Sequence, residues 1–363
     1  MITDSLIANC KTDVEKIKKI YYWVQDKISY VAYEDGLGGF VPREADIIMK
    51  RRFGDCKDMA SILTAMGKAA GLPIYLTWIG TTDIPYQFTE VPAPMAANHM
   101  IAAYVTKDTC LFLDATGKFQ DLGVHTSFIQ GKEAIIGISE NEYIIKKVPY
   151  IPHTKTYVMD SVSLKIQDNL LVGNGYLKFD GYKKVHIQTQ INGKSYTELY
   201  DYFKSYCEKG NNKFKLDTVI ISKNERDVPV EIKYTFKIPN YITTLTNEIF
   251  MNLNFDKNYF EDFSTQDRKN GFEFLYAFDK QLLVTLALDK KYSVNFIPEN
   301  SFYTNSNFGC QSSYTKTPSQ LIFKSTIHIN STFVNYNEFE KWNEFLKEHN
   351  KNNNKSISLN KLQ

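Results

Sequence analysis

Along the first 150 residues, apolar positions recur at helical spacing in some stretches and cluster into short runs in others. In "TDVEKIKKIYYWVQDKI" (12–28), Val14, Ile17, Tyr21, Val24 and Ile28 share one helical face. Thr12 and Glu15 form a capping-box pair that sets the start. A second, short helix is predicted from Pro42, with Ala45, Ile48 and Met49 on it, because proline suits a first helical position. A third begins after Asp55, a good N-cap, and carries Met59, Leu63, Met66 and Ala70 as one stripe until Gly71 and Pro73 end it. Three strand-like runs follow: "IYLTWIG" (74–80), "MIAAYV" (100–105) and "CLFLDA" (110–115), with "TKDT" (106–109) as a hairpin turn.

Past about residue 155 the period shortens to strand alternation. "VEIKYTFKI" (230–238) puts Val230, Ile232, Tyr234, Phe236 and Ile238 on one face, and "SVSLKIQ" (161–167) does the same with Val162, Leu164 and Ile166. Short strands recur to about residue 334, the pattern of a mainly antiparallel β-sandwich-like domain. One helix interrupts them, with Ser195 and Glu198 as a capping box before Leu199, Tyr202, Phe203 and Tyr206. A last amphipathic helix carries Phe339, Trp342 and Phe345, and the polar tail "HNKNNNKSISLNKLQ" is expected to be loose. The expected divisions are 1–150, 151–335 with one inserted helix, and 336–363 for the terminal helix and tail.

A length of 363 residues exceeds what one core usually serves, so more than one domain is expected. A net charge of +2 gives no pull toward nucleic acid. The five cysteines are far apart with no CxxC, which argues against a disulfide framework or a zinc site, and no cofactor or metal is implied. No apolar run approaches the roughly 20 residues of a membrane span. The N-terminus lacks signal-peptide features, so the chain as given reads as soluble.

Cys56 lies in "RRFGDCKDMA" (51–60), at the predicted start of a helix. A thiolate is favoured at a helix N-terminus and near cations, and Arg51, Arg52 and Lys57 are close in sequence. The helix-start amides suit an oxyanion. A buried filler cysteine accounts for the local stretch equally well. A nucleophilic cysteine needs a histidine base and an orienting group. If 100–105 and 110–115 pair across 106–109, residue 101 faces 114 and residue 99 faces 116. His99 and Asp114 then share a face, diagonal to one another at roughly 7–8 Å between Cα atoms. Separately, His99 reads as a hydrogen-bonded strand-end histidine and Asp114 as a turn residue; together with Cys56 they make a coherent set. His186 and His328 fall in strand-like runs, His125, His153 and His349 in loop or tail contexts, and Cys110 and Cys207 read as packing residues.

"GDCKDMA", "NHMIAAY" and "FLDAT", with "YYWVQDKISYV" and "GGFVPREADIIMKRRFGDC" upstream, resemble the transglutaminase-like superfamily over about 17–117. The resemblance is to multi-domain bacterial members of Bacteroidetes type with downstream β-rich regions. It implies an α+β fold with a papain/transglutaminase-like core over 1–150. It also implies Cys56 as nucleophile, His99 as base, Asp114 as orienter and an acyl-thioester intermediate. Hydrolysis of a peptide, protein or other amide-containing substrate is favoured. Protein cross-linking and a non-catalytic binding or scaffold module are the alternatives. In the family a polar residue, commonly glutamine, often stands where this chain has Val41; Tyr30, just after the first helix, is the candidate substitute oxyanion donor, its other reading being an aromatic packed against the core. Relatives usually carry a further β domain and a signal peptide ahead of the core, so the resemblance points either to a piece of an exported, periplasmic or cell-surface protein or to a trimmed variant.

Overall fold

The computed structural model describes residues 2–32, 39, 41–168, 170–256 and 259–362. It divides into two compact units, Met1–Ile151 and Pro152–Gln363. Among the described residues no helix is long and apolar enough to cross a membrane.

The first unit contains α1 (Ile2–Ile7), α2 (Asp13–Lys27), β1 (Ser29–Tyr30), α3 (Ala45–Arg51), β2 (Phe53–Gly54), α4 (Cys56–Ala69), β3 (Ile74–Ile79), β4 (His99–Val105), β5 (Cys110–Leu113), β6 (Glu133–Gly137) and β7 (Tyr143–Lys147). The last five strands form an antiparallel sheet in the order β5-β4-β3-β6-β7. α2 starts at the expected capping box. Its buried face is Ile17, Ile20, Tyr21, Val24 and Gln25; Val14 is exposed. That face packs with Met59, Leu63 and Met66 of α4 against Ala102, Tyr104 and Leu113. The other side of the sheet is covered by Ile129 and Val148, which meet Ile79, Ile101 and Phe112. β4 is therefore buried on both faces, and its sequence is apolar without alternation for that reason. α3 begins at Ala45 rather than at Pro42. The Arg43 N–H donates to Asp58 Oδ1 at 3.0 Å, and Glu44 is extended, so the chain turns helical only afterwards.

The second unit contains β8 (Tyr157–Gln167), β9 (Leu170–Asp180), α5 (Gly181–Ile191), α6 (Tyr196–Tyr206), β10 (Lys215–Lys223), β11 (Val230–Pro239), β12 (Thr243–Leu245), β13 (Glu248–Met251), β14 (Phe272–Glu273), β15 (Phe278–Ala287), β16 (Tyr292–Phe296), β17 (Ser301–Thr304), β18 (Phe308–Lys316), β19 (Gln320–Ile329), β20 (Phe333–Val334), α7 (Phe339–Asn350) and β21 (Ile357–Lys361). An eight-stranded sheet runs β10-β11-β9-β8-β15-β19-β18-β17, antiparallel except where β8 meets β15. A smaller sheet, β12-β13-β21-β16, shares one core with it: Ile249, Met251, Ile357 and Leu359 meet Val162, Leu164 and Phe323. The alternation in 230–238 is the burial alternation of β11. Tyr234 and Phe236 lie directly opposite Gly175 and Gly173 of β9. A Cβ on Gly175 would sit 1.8 Å from the Tyr234 ring, so only glycine fits beneath it.

Two expectations fail here. Residues 181–191, with His186 among them, are a helix, not a strand. The C-terminal tail is not loose, and 336–363 lies within the second unit. Residues 357–361 form β21 between β13 and β16, with Ile357 and Leu359 fully buried. The polar stretch before it folds because its amides act as partners. Asn252 Nδ2 donates to the Asn353 carbonyl at 2.7 Å, Asn254 Nδ2 to Asn353 Oδ1 at 2.9 Å, and Asn352 Nδ2 to the Glu299 carbonyl at 3.0 Å.

Candidate active site

Cys56 is the first residue of α4 and is 5% exposed. The turn that presents it is built from two buried aspartates. Asp55 Oδ1 accepts from the Lys57 N–H at 3.0 Å and the Asp58 N–H at 3.3 Å, and Asp58 Oδ2 accepts in return from the Asp55 N–H at 3.1 Å. This is a capping box with aspartate in the place usually taken by glutamate. Asp58 also pairs with the Arg43 guanidinium. The Asp58 side chain fills the space beside Gly54: a Cβ there would lie 2.4 Å from Asp58 Cβ, which explains the glycine of "GDC". Two of the three cations near Cys56 in sequence, Lys57 and Arg52, have other partners. Lys57 Nζ is 2.9 Å from Asp55 Oδ2, and the Arg52 guanidinium lies 5.0 Å from the centroid of the Trp23 ring.

His99 opens β4 and Asp114 follows β5 directly. The β4–β5 ladder pairs Ala102 with Leu113 and Val105 with Cys110, the register derived from the four-residue turn. Continued by one step it sets Ile101 opposite Asp114, so His99 and Asp114 share a face. His99 Nε2 lies 2.9 Å from Asp114 Oδ2, and Cys56 is close enough to the imidazole to favour its protonated form. With Nε2 given to the carboxylate, Nδ1 is the nitrogen left for the thiol.

Burial works against the His99 imidazolium, but the Asp114 charge and hydrogen bond, then the Cys56 interaction, outweigh it and raise the imidazole to about 10. Burial also works against the Asp114 carboxylate. The His99 charge and hydrogen bond and the Thr116 and Thr126 hydroxyls outweigh it and hold the carboxyl at about 2. The other cysteines with a shift lean away from reactivity: burial pushes Cys207 and Cys310 up to about 12 and raises Cys110.

Tyr30 is 44% exposed and lies on β1, whose parallel pairing with β2 sets Tyr30 opposite Gly54, two residues before Cys56. Val41 is 59% exposed. Gly38 and Phe40 of the "GGFVP" stretch lie outside the described residues. Arg43, Asp58, Thr116, Thr126 and Phe128 were not singled out from sequence. Phe128 lies edge-on to His99 at 5.4 Å between ring centroids. Thr116, two residues after an aspartate, had a readable turn signature; the others approach from distant sequence. Among the described residues no group of His, Cys, Asp and Glu is arranged to hold a metal. A groove of about 480 Å³ lies on the eight-stranded sheet of the second unit, over Ser163, Asn174, Thr235 and Thr285, without a cysteine or histidine in its lining.

Residues 1–85 match the transglutaminase-like superfamily. That match lies within the first unit. The matched segment includes Cys56 and stops before His99 and Asp114, so the place of those two in the core rests on the strand geometry. Residues 241–359 match DUF3858, a domain of unknown function with a solved structure, and that match takes in most of β21. The whole fold is similar to the crystal structure of a "putative protease" from Parabacteroides distasonis, with a TM-score of 0.53 and 11% identity. The alignment covers 99% of this chain and 54% of the other, so the chain spans about half the length of that protein. At this identity the likeness concerns the fold. No curated protein matches the chain significantly.

Proposed function

We propose that the transglutaminase-like core is a thiol acyl-transfer centre that hydrolyses peptide or amide bonds, with Cys56 as nucleophile, His99 as base and Asp114 as orienter. The observation that carries this reading is the His99 ring, hydrogen-bonded through Nε2 to Asp114 with Cys56 close by. His99 Nδ1 takes the thiol proton, and the sulfur attacks the substrate carbonyl carbon. The carbonyl electron pair moves to oxygen. The amides of residues 57–59 already donate to Asp55, which leaves the Cys56 N–H as the helix-start donor for that oxyanion, with Tyr30 as the second. The oxyanion collapses, the C–N bond breaks, and the imidazolium gives its proton to the leaving amine. Water, deprotonated by His99, then cleaves the thioester and restores the thiol. An amine in place of water gives cross-linking.

The similarity in fold to a protein titled a "putative protease" supports hydrolysis. The near-closed thiol and the apolar Val41 favour the second reading, a fold kept as a binding or scaffold module. Hydrolysis of a peptide and amide library, with and without an added primary amine, separates the three. Turnover lost in Cys56→Ala supports the centre, and amine incorporation in place of hydrolysis supports cross-linking. Turnover retained in Cys56→Ala overturns the role of Cys56.

A further inference from the structure

Asp114 holds four donors. Oδ1 accepts from the Thr116 N–H at 3.1 Å and the Thr116 hydroxyl at 2.6 Å. Oδ2 accepts from His99 Nε2 at 2.9 Å and from the Thr126 hydroxyl at 2.6 Å. Thr116 is local to Asp114. Thr126 is not: it arrives 12 residues later, on a loop that has its own anchors. Gln25 Nε2 of α2 donates to the Gln120 carbonyl at 3.1 Å, Gln120 Nε2 donates to the His125 carbonyl at 3.0 Å, and the Leu122 N–H donates to the Tyr22 hydroxyl at 3.1 Å. The Tyr21 hydroxyl donates to the Asp114 carbonyl at 2.8 Å. α2 therefore holds both the residue that orients His99 and the loop that reaches across to it. The same loop brings Phe128 against the imidazole.

A carboxylate is free to turn about its Cβ–Cγ bond unless both oxygens are tied. Thr116 ties only Oδ1. On Oδ2 the imidazole has one companion, Thr126, and both residues are buried. We propose that Thr126 is a positioning residue for the Cys56–His99 pair: by sharing Asp114 Oδ2 with the imidazole, its hydroxyl fixes the carboxylate so that Nε2 stays bonded and Nδ1 faces the thiol. This rests on the reading of Cys56 as nucleophile, yet the contacts it concerns are those of His99 and Asp114. Thr126→Val is nearly isosteric and removes only the donor; Thr126→Ser keeps the donor and removes a methyl group.

The test uses the full chain with ¹⁵N-labelled histidine. The His99 Nε2–H proton is followed by NMR for its shift and its exchange with water. In the same samples the rate of Cys56 alkylation by iodoacetamide is measured. A hydrogen bond to a charged group contributes about 1.5–3 kcal/mol, so Thr126→Val is expected to exchange the His99 proton about 10-fold faster or more, while Thr126→Ser stays within a few-fold of wild type. Cys56 alkylation falls about 10-fold in Thr126→Val and recovers in Thr126→Ser. If the His99 proton has the same shift and exchange rate in Thr126→Val as in wild type, the positioning role is overturned. If alkylation in wild type is indifferent to His99→Ala, the nucleophile reading fails, and the His99 proton still decides the role of Thr126.

Discussion

Asp55→Ala should cost far more than the loss of a helix cap. An N-cap aspartate replaced by alanine usually costs about 0.5–2 kcal/mol. Asp55 does more than cap: Oδ1 accepts the two amides, and Oδ2 lies 2.9 Å from Lys57 Nζ and 3.7 Å from Arg43 Nη1. Asp55 and Lys57 are both buried. Removing one member of a buried pair costs about 3–5 kcal/mol, since the other charge keeps its desolvation without its partner. The two effects share one carboxyl group, so about 4 kcal/mol is expected for Asp55→Ala. Asp55→Ser, which keeps a cap acceptor and drops the charge, should fall between the two, at about 2–3 kcal/mol. Adding Lys57→Met to Asp55→Ala should return about 1.5 kcal/mol or more, because a buried pair exchanged for apolar groups is close to neutral. Urea unfolding of the full chain, read by amide hydrogen exchange of the α4 segment, reports this part of the first unit. A cost below about 1 kcal/mol for Asp55→Ala would refute the reasoning, as would a Lys57→Met penalty that simply adds to it.

Asp114→Asn should leave the fold intact and lower acyl transfer by roughly 10²–10⁴-fold, measured as kcat/KM on any substrate found, because an amide no longer stabilises the imidazolium. The His99 proton affinity is raised in the folded chain, so the stability it contributes is fully present below the unfolded value of 6.5 and is lost as pH rises through about 10. The unfolding midpoint of wild type minus that of His99→Gln should therefore shrink steadily between those values. Asp114 has the opposite sign: its contribution is present above the unfolded value of 3.8 and is lost as pH falls through about 2, which acid titration of wild type against Asp114→Asn checks. Leu359→Ala should cost about 2–5 kcal/mol in the second unit, by calorimetry, because the side chain is fully buried in β21.

What was legible in the sequence was local. Asp55 and Cys56 announce a capped helix, and the four-residue turn between two short apolar runs fixes a register that brings His99 and Asp114 to one face. What was not legible comes from afar. Thr126 and Arg43 reach the site across 12 and 15 residues through loops that carry no periodicity. In 181–191, Val185, Ile187, Thr189 and Ile191 alternate like a strand. The Asp180 cap and the burial of Ile187 and Ile191 against the sheet favour a helix instead. The tail misleads through composition: asparagines read as disorder, yet their amides supply the partners that a buried chain needs.

The central claim is that Cys56 is activated by His99, and the five cysteines make it testable in one experiment. Cys10 and Cys110 are partly exposed, whereas Cys56, Cys207 and Cys310 are buried. If exposure alone governed reactivity, Cys10 and Cys110 would be labelled first. Limiting iodoacetamide at neutral pH, followed by peptide mass mapping, ranks all five. The account predicts that Cys56 is alkylated first in wild type and loses that lead in His99→Ala. Labelling led by Cys10 and Cys110, with a Cys56 rate unchanged by His99→Ala, would contradict it.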